Sequence, residues 1–306
     1  MKNILLSILL LFTLVISACS SHPTGQGNQP ASPEDNSGTF TYQSENGPIE
    51  VPATPKRVVV LSSFAGNVMA LGVNLVGVDS WSKMNPRFQD KLKDAAEVSD
   101  ENLEKNIELQ PDLIIGLSNT KNLEKLSKIA PTVTYTYGKV DYLTQHQIGK
   151  LLNKVKEARA WIDDFKKRAQ QAGADIRAKI GENATVSVIE NFDKQLYVFG
   201  DNWGRGTEIL YQEMKLRMPE KVKETALKNG YFALSPEVLP EFAGDYLIVS
   251  KNKEADNSFQ ETDTYKNMPA VKKHRVFEVN AKEFYFNDPL TLEFQLDFFI
   301  KSFLGS

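Results

Sequence analysis

Residues 200–210 read GDNWGRGTEIL, which sets Trp203 two positions from Arg205 with Gly200, Gly204 and Gly206 around them. Tryptophan offers a flat apolar face with one donor, and arginine a rigid fork of donors. Glycine lifts backbone restrictions and lets the chain run close to whatever it faces. Together these residues could grip something flat, oxygen-rich and partly negative. The same stretch also fits a helix entry in which Trp203 packs inward and Arg205 points to water.

Other chemistry is scarce. His22, His146 and His274 are the only histidines and lie far apart, and Cys19 is the only cysteine. No zinc-type ligand cluster is legible, and neither GxSxG nor HExxH occurs. The formal charge is −3 with no basic run, which argues against nucleic acid as a partner. The composition points to a globular protein that is not an enzyme.

Residues 1–18 carry one lysine and then an apolar run, the pattern of a signal peptide. Ile16-Ser17-Ala18-Cys19 matches the bacterial lipobox, in which the cysteine is diacylated and becomes the mature N-terminus. A lone cysteine in an exported chain can form no internal disulfide, so Cys19 needs another use. Residues 19–38 are rich in Ser, Pro, Gly and Asn and read as a flexible tether. Two acyl chains suffice for stable anchoring. The expected location is therefore the extracytoplasmic face of the cell membrane, held by the lipid.

The elements that must position the Trp/Arg loop come next. Residues 56–61 (KRVVVL), 74–78 (NLVGV) and 111–116 (PDLIIG) read as buried strands, with short helical stretches between them. Residues 131–137 (PTVTYTY) read as extended. This alternation predicts an α/β lobe over residues 39–141. From 142 to 180, Ile148, Leu152, Val155, Ile162, Phe165, Ala169 and Ile176 recur at helical spacing, with Asn153 as a break or kink. A second α/β lobe is expected over 181–306. Its strands fall at 185–189, 196–199, 246–249 and 275–279, with a helix from about Thr207 and a terminal helix from about Leu290.

The halves share a feature. Glu104 precedes Asp112 of PDLII by the same spacing that separates Glu237 from Asp245 of GDYLIV. Each acid is expected at a helix start, with Ser235 as cap and Pro236 at the first helical position in the second case. The repeat on either side of a long helix suggests two similar lobes joined by a strut.

PxxPKRVVVL, ELQPDLII, IAPTV and AVKKHRVFEVN, with the lipobox, tether and long helix, resemble the metal-chelate substrate-binding proteins of ABC importers. KQLYVFGDNWGRGTEILYQ, FAGDYLIVS and FYFNDPLTLE resemble the ferric hydroxamate-binding lipoproteins of Gram-positive bacteria. That resemblance implies a bilobal α/β fold of the periplasmic-binding-protein type, with a rigid helical linker and a shallow cleft. It implies an iron(III)–siderophore ligand delivered to a two-subunit ABC permease with its ATPase, by a monomer. Iron(III) would arrive already coordinated by the siderophore, so no cofactor or protein-bound metal is implied.

Charge separates the siderophore classes. The segments expected in the cleft, TYTYGKVDY, KQLYVFGDNWGRG and KEFYFNDP, are rich in aromatics with Arg205 as the central cation. That favours hydroxamates or mixed citrate–hydroxamates, while Lys139 and Lys282 keep a catecholate open. The resemblance marks Trp203, Arg205, Tyr197 and Tyr137 as ligand contacts, with Tyr135 on the face of Tyr137. Alternation in FYFNDP sets Phe284 and Phe286 on one side and Tyr285 on the other. Phe286 takes a position that in the family often carries a hydroxyl. Trp81, in DSWSKMNP, is a first-lobe loop aromatic that could touch ligand or pack. The resemblance also gives Glu104 and Glu237 a docking role toward permease arginines. Dipole complementation is the plainer role for both. A cell-wall enzyme and a non-enzymatic adhesin are the readings from other classes.

Overall fold

Runs of valine, leucine and isoleucine that are apolar at every position suit strands covered on both faces, as parallel sheets require. Five such strands make the first sheet, after a hairpin of β1 (Thr39–Ser44) and β2 (Gly47–Pro52). They are β3 (Val58–Val60), β4 (Leu75–Val78), β5 (Ala96–Glu97), β6 (Leu113–Leu117) and β7 (Thr132–Tyr135). Their order is β5-β4-β3-β6-β7 and every pairing is parallel. The order reverses at β3, and such a switch opens a crevice at the carboxyl ends of the strands. The computed structural model describes residues 38–136 and 142–305. The expected signal peptide, residues 1–18, and Cys19, His22, Tyr137 and Lys139 lie outside the described residues.

The second sheet comprises β8 (Val186–Phe192), β9 (Gln195–Phe199), β10 (Tyr231–Leu234), β11 (Tyr246–Lys251) and β12 (Val276–Asn280), in the order β10-β9-β8-β11-β12. β8, β11 and β12 are parallel, whereas β9 and β10 run antiparallel to their neighbours. The turn from β8 to β9 is Asp193-Lys194, both with positive φ, as a tight right-twisted hairpin demands. The sequence reading misses β1, β2, β5 and β10. β5 is two residues long, and β10 shows an exposed pattern (eeeB) that carries no apolar period.

The repeated aspartates do the same job in each lobe. Asp112 accepts from the backbone N–H groups of Lys56 and Arg57, at 2.6 and 2.9 Å, just before β3. Asp245 accepts from Thr185 N at 2.9 Å, just before β8. In both lobes the acid that opens one parallel strand ties down the start of its neighbour.

Residues 142–180 form two helices, Tyr142–Leu151 and Val155–Ile180, separated where Asn153 adopts φ 56°. The longer one buries Ala158, Phe165, Ala169, Ala172, Gly173 and Ile176 along a single stripe and packs on the terminal helix Pro289–Leu304. The chain crosses between lobes just before that helix. FYFNDP is not a strand, because Ala281–Phe284 is a helical turn, so the alternation expected there fails. Phe284 joins the second-lobe core while Tyr285 and Phe286 join the first-lobe core.

Asp288 caps the terminal helix, accepting from Leu290 N and Thr291 N at 2.9 and 3.2 Å. Burial pushes its carboxyl up to about 6, with the Thr291 hydroxyl only partly relieving the cost. The folded value lies above the unfolded one, so the folded chain holds the extra proton between roughly pH 4 and 6. Stability contributed here is present at low pH, falls as pH rises through that window, and stays reduced above it. Asp288→Asn keeps the capping acceptor and loses the penalty. It should exceed wild type by about 3 kcal/mol at pH 7.5, with the gap closing toward pH 4. Urea melts at the two pH values check this, and a gap independent of pH would refute it.

Candidate functional site

A cavity of about 790 Å³ opens where the two sheets face each other. First-lobe residues enter it from the carboxyl ends of four strands: Leu61, Ser62 and Ser63 after β3, Asp79 to Trp81 after β4, Val98 to Asp100 after β5, and Asn119 and Thr120 after β6. That is the edge at which open parallel sheets bind ligands. The second lobe supplies Phe192, Tyr197, Phe199, Trp203, Arg205 and Tyr231, and the crossing segment adds Tyr285 and Phe286.

The glycines around Trp203 and Arg205 serve the backbone. Gly204, Arg205 and Gly206 take φ of 67°, 60° and 82°, three left-handed residues in succession. A Cβ on Gly204 would run into the Tyr285 carbonyl, and one on Gly206 into the Phe299 ring. The loop therefore lies against residues 284–286, where Arg205 N donates to Phe284 O at 2.6 Å. Glu208, fully buried, holds the turn from behind by accepting from Gly204 N at 2.9 Å and Asn287 Nδ2 at 3.2 Å. Burial raises the Glu208 carboxyl above the usual range, against those donors. It opens a helical turn with π-type spacing, Glu208–Glu213, rather than the regular helix expected from Thr207. A left-handed arginine costs of order 1–3 kcal/mol and persists only where its surroundings over-determine it.

Arg205 is not pointed freely at water. Its Nε donates to Glu190 Oε2 at 2.6 Å and its Nη1 to Trp203 O at 3.0 Å. The guanidinium lies 4.6 Å from the Tyr285 ring centroid, 4.7 Å from Phe199 and 5.9 Å from Phe192, a cation held among π faces. Trp203, 40% exposed, donates Nε1–H to Asn229 O at 2.9 Å and meets Tyr231 edge-on. Tyr231 in turn meets Tyr197 edge-on. Trp81, 41% exposed, stacks on Phe192 across the cleft and meets Tyr285 edge-on. Burial, then the nearby Glu190 carboxylate, raises the Tyr285 hydroxyl above the ordinary phenol range.

Of the residues singled out from sequence, Trp203, Arg205, Tyr197, Trp81, Tyr285 and Phe286 all line this one cavity. Phe286 does so as a buried wall, packed on Phe88 at 5.8 Å. Tyr135 is core, 3.1 Å from the Tyr42 hydroxyl. Lys282 pairs with Glu254 at 2.9 Å, and among the described lining residues Arg205 is the one cation. Glu190, Phe192, Phe199 and Tyr231 were not singled out. Glu190 was legible as a lone charge inside the apolar strand TVSVIE, but its partner was not. Glu104 is exposed in the first turn of helix Leu103–Glu108. Glu237 departs from expectation: it sits in a turn before helix Leu239–Phe242, whose cap residue is Val238. Ser235 caps no helix there. Instead it bonds the Glu237 carboxyl, which it lowers below the usual range. Among the described residues no group of three or more His, Cys, Asp or Glu could hold a metal.

Residues 58–283 match the family model described as Periplasmic binding protein. The iron(3+)-hydroxamate-binding protein YxeB of Bacillus subtilis is 37% identical, over 97% of this chain and 95% of its own length. The structure of FhuD2 from Staphylococcus aureus with bound ferrioxamine B superimposes with a TM-score of 0.78 at 33% identity, covering 82% of this chain and 99% of that one. A FhuD fold-family protein of Bacillus subtilis, described as the periplasmic binding protein component of a Fep/Fec-like ferrichrome ABC transporter, gives 0.77 at 35% identity, over 86% and 99%. The bilobal α/β architecture, the cleft at the strand ends and these matches agree, and the chain belongs to the periplasmic binding protein family.

Proposed function

We propose that this chain is the extracytoplasmic substrate-binding lipoprotein of an ABC importer. It takes an iron(III)–hydroxamate siderophore into the inter-lobe cleft and delivers it to a two-subunit permease coupled to its ATPase. The observation that carries this reading is a cleft walled by aromatic faces around one cation among the described residues, Arg205, that is already paired with Glu190. A tris-hydroxamate iron complex is near neutral and presents carbonyl-type oxygens and alkyl linkers, which suit aromatic faces and the remaining guanidinium donors. A tris-catecholate complex is strongly anionic and, among the described residues, would meet Asp79 and Asp100 with no unpaired lining cation. The bound ferrioxamine B of the Staphylococcus aureus relative supports the same class.

In this reading Arg205, Trp203, Tyr197, Trp81 and Tyr285 touch the ligand and Phe286 backs the wall, with Tyr137, outside the described residues, as a further proposed contact. The lobes of residues 39–141 and 181–306 clasp the chelate, with residues 142–180 as the strut. Iron is cargo and the protein, a monomer, does no catalysis. Cys19 carries the lipid that holds it at the membrane; palmitate labelling that survives Cys19→Ala would remove that anchor.

Tryptophan fluorescence tests the ligand class. Ferrioxamine B should quench at submicromolar concentration and bind at least ~10-fold, or about 1.4 kcal/mol, tighter than a ferric tris-catecholate. The reverse order would overturn the hydroxamate reading, and no quenching by any ferric chelate would overturn the siderophore reading.

A further inference from the structure

Glu190 stands in the central strand β8 with a fully buried side chain, paired with Arg205. Its Oε2 accepts a hydrogen bond from Arg205 Nε–H, and the same carboxyl helps raise the Tyr285 hydroxyl above the ordinary phenol range. Burying a carboxylate is costly, and a deep ion pair adds little stability over apolar residues of the same volume. Nor is Glu190 alone in holding Arg205. The Trp203 carbonyl and the rings of Phe199 and Tyr285 already fix the guanidinium, and Phe284 O fixes its backbone. What Glu190 changes most is the charge that the wall presents. Among the described lining residues the carboxylates, Asp79 and Asp100, stand on the first lobe. Asp79 is occupied with the N–H and hydroxyl of Ser82, and Asp100 with Lys121 N.

We infer that Glu190 is a specificity-determining residue. It cancels the charge of Arg205 while leaving guanidinium N–H groups to donate, so the cleft favours neutral and cationic iron chelates over anionic ones. The inference rests on the proposed chelate-binding role of the cleft. Arginine keeps five N–H donors in a fixed fork, of which Glu190 and Trp203 use two. Donor geometry and net charge are thereby separated at one site: Arg205 supplies the first and Glu190 adjusts the second.

The test is a charge series. Wild type, Glu190→Gln, Glu190→Asp and Arg205→Gln are titrated with cationic ferrioxamine B, neutral ferrichrome and an anionic ferric tris-catecholate. Glu190→Gln exposes the arginine charge, so the affinity ratio of anionic to cationic chelate should rise ~10-fold or more. Glu190→Asp keeps the charge and should hold the wild-type ratio. Arg205→Gln weakens all three but should tilt the ratio the opposite way. If Glu190→Gln weakens all three chelates equally, Glu190 is merely structural and the inference fails. Should Glu190→Gln not fold, the Arg205→Gln ratio decides, and an unchanged ratio there overturns the inference. A wild type that binds none of the three overturns the proposed function instead.

Discussion

Arg205→Ala should lose both stability and ligand. The fully buried Glu190 carboxylate would keep its burial cost without its counter-ion, and stranding one partner of a buried pair costs about 3–5 kcal/mol. Affinity for ferrioxamine B should fall by about 1.5–3 kcal/mol, the range for hydrogen bonds to a charged group. Urea melts and fluorescence titration read the two losses separately. Arg205→Lys sharpens the interpretation, since it keeps the charge and discards the planar fork. It should recover more stability than affinity. An alanine variant with wild-type stability and wild-type binding would remove Arg205 from both roles.

The second large effect concerns delivery. Glu104 and Glu237 are exposed and precede the paired aspartates at matching distances in the two lobes. In the first lobe the helix Leu103–Glu108 leads into parallel β6, so Glu104 starts toward the carboxyl edge at which that lobe lines the cleft. We propose that the two acids, one per lobe, make a two-point match to permease cations, which would set orientation more than affinity. The double change Glu104→Ala, Glu237→Ala should abolish iron–siderophore uptake by cells. Purified, it should bind ferrioxamine B as wild type does. A dipole role predicts about 0.3–1 kcal/mol of lost stability for Glu104 with normal uptake. For Glu237 that role has weakened, because it precedes its helix and bonds Ser235. Normal uptake by the double variant would end the docking proposal.

The sequence by itself determined the two α/β lobes, because apolar runs such as VVVL, DLIIG and DYLIV, punctuated by Pro and Gly, have few other structures available. It determined the repeat marked by Asp112 and Asp245, and the loop of Trp203 and Arg205, because glycine, tryptophan and arginine each constrain what a short segment can do. It did not determine pairing. Glu190 and Arg205 are adjacent only because β8, β9 and the loop after them fold back on one another. FYFNDP shows the same limit. Period-two alternation assumes a strand, but the chain there bridges two cores, sending Phe284 into one and Phe286 into the other. Tyr285, between them, is left over Arg205. Local pattern reports how a segment meets its own neighbours along the chain. The charge and shape of the cleft come from groups distant in sequence, and only tertiary packing brings those within a few ångströms.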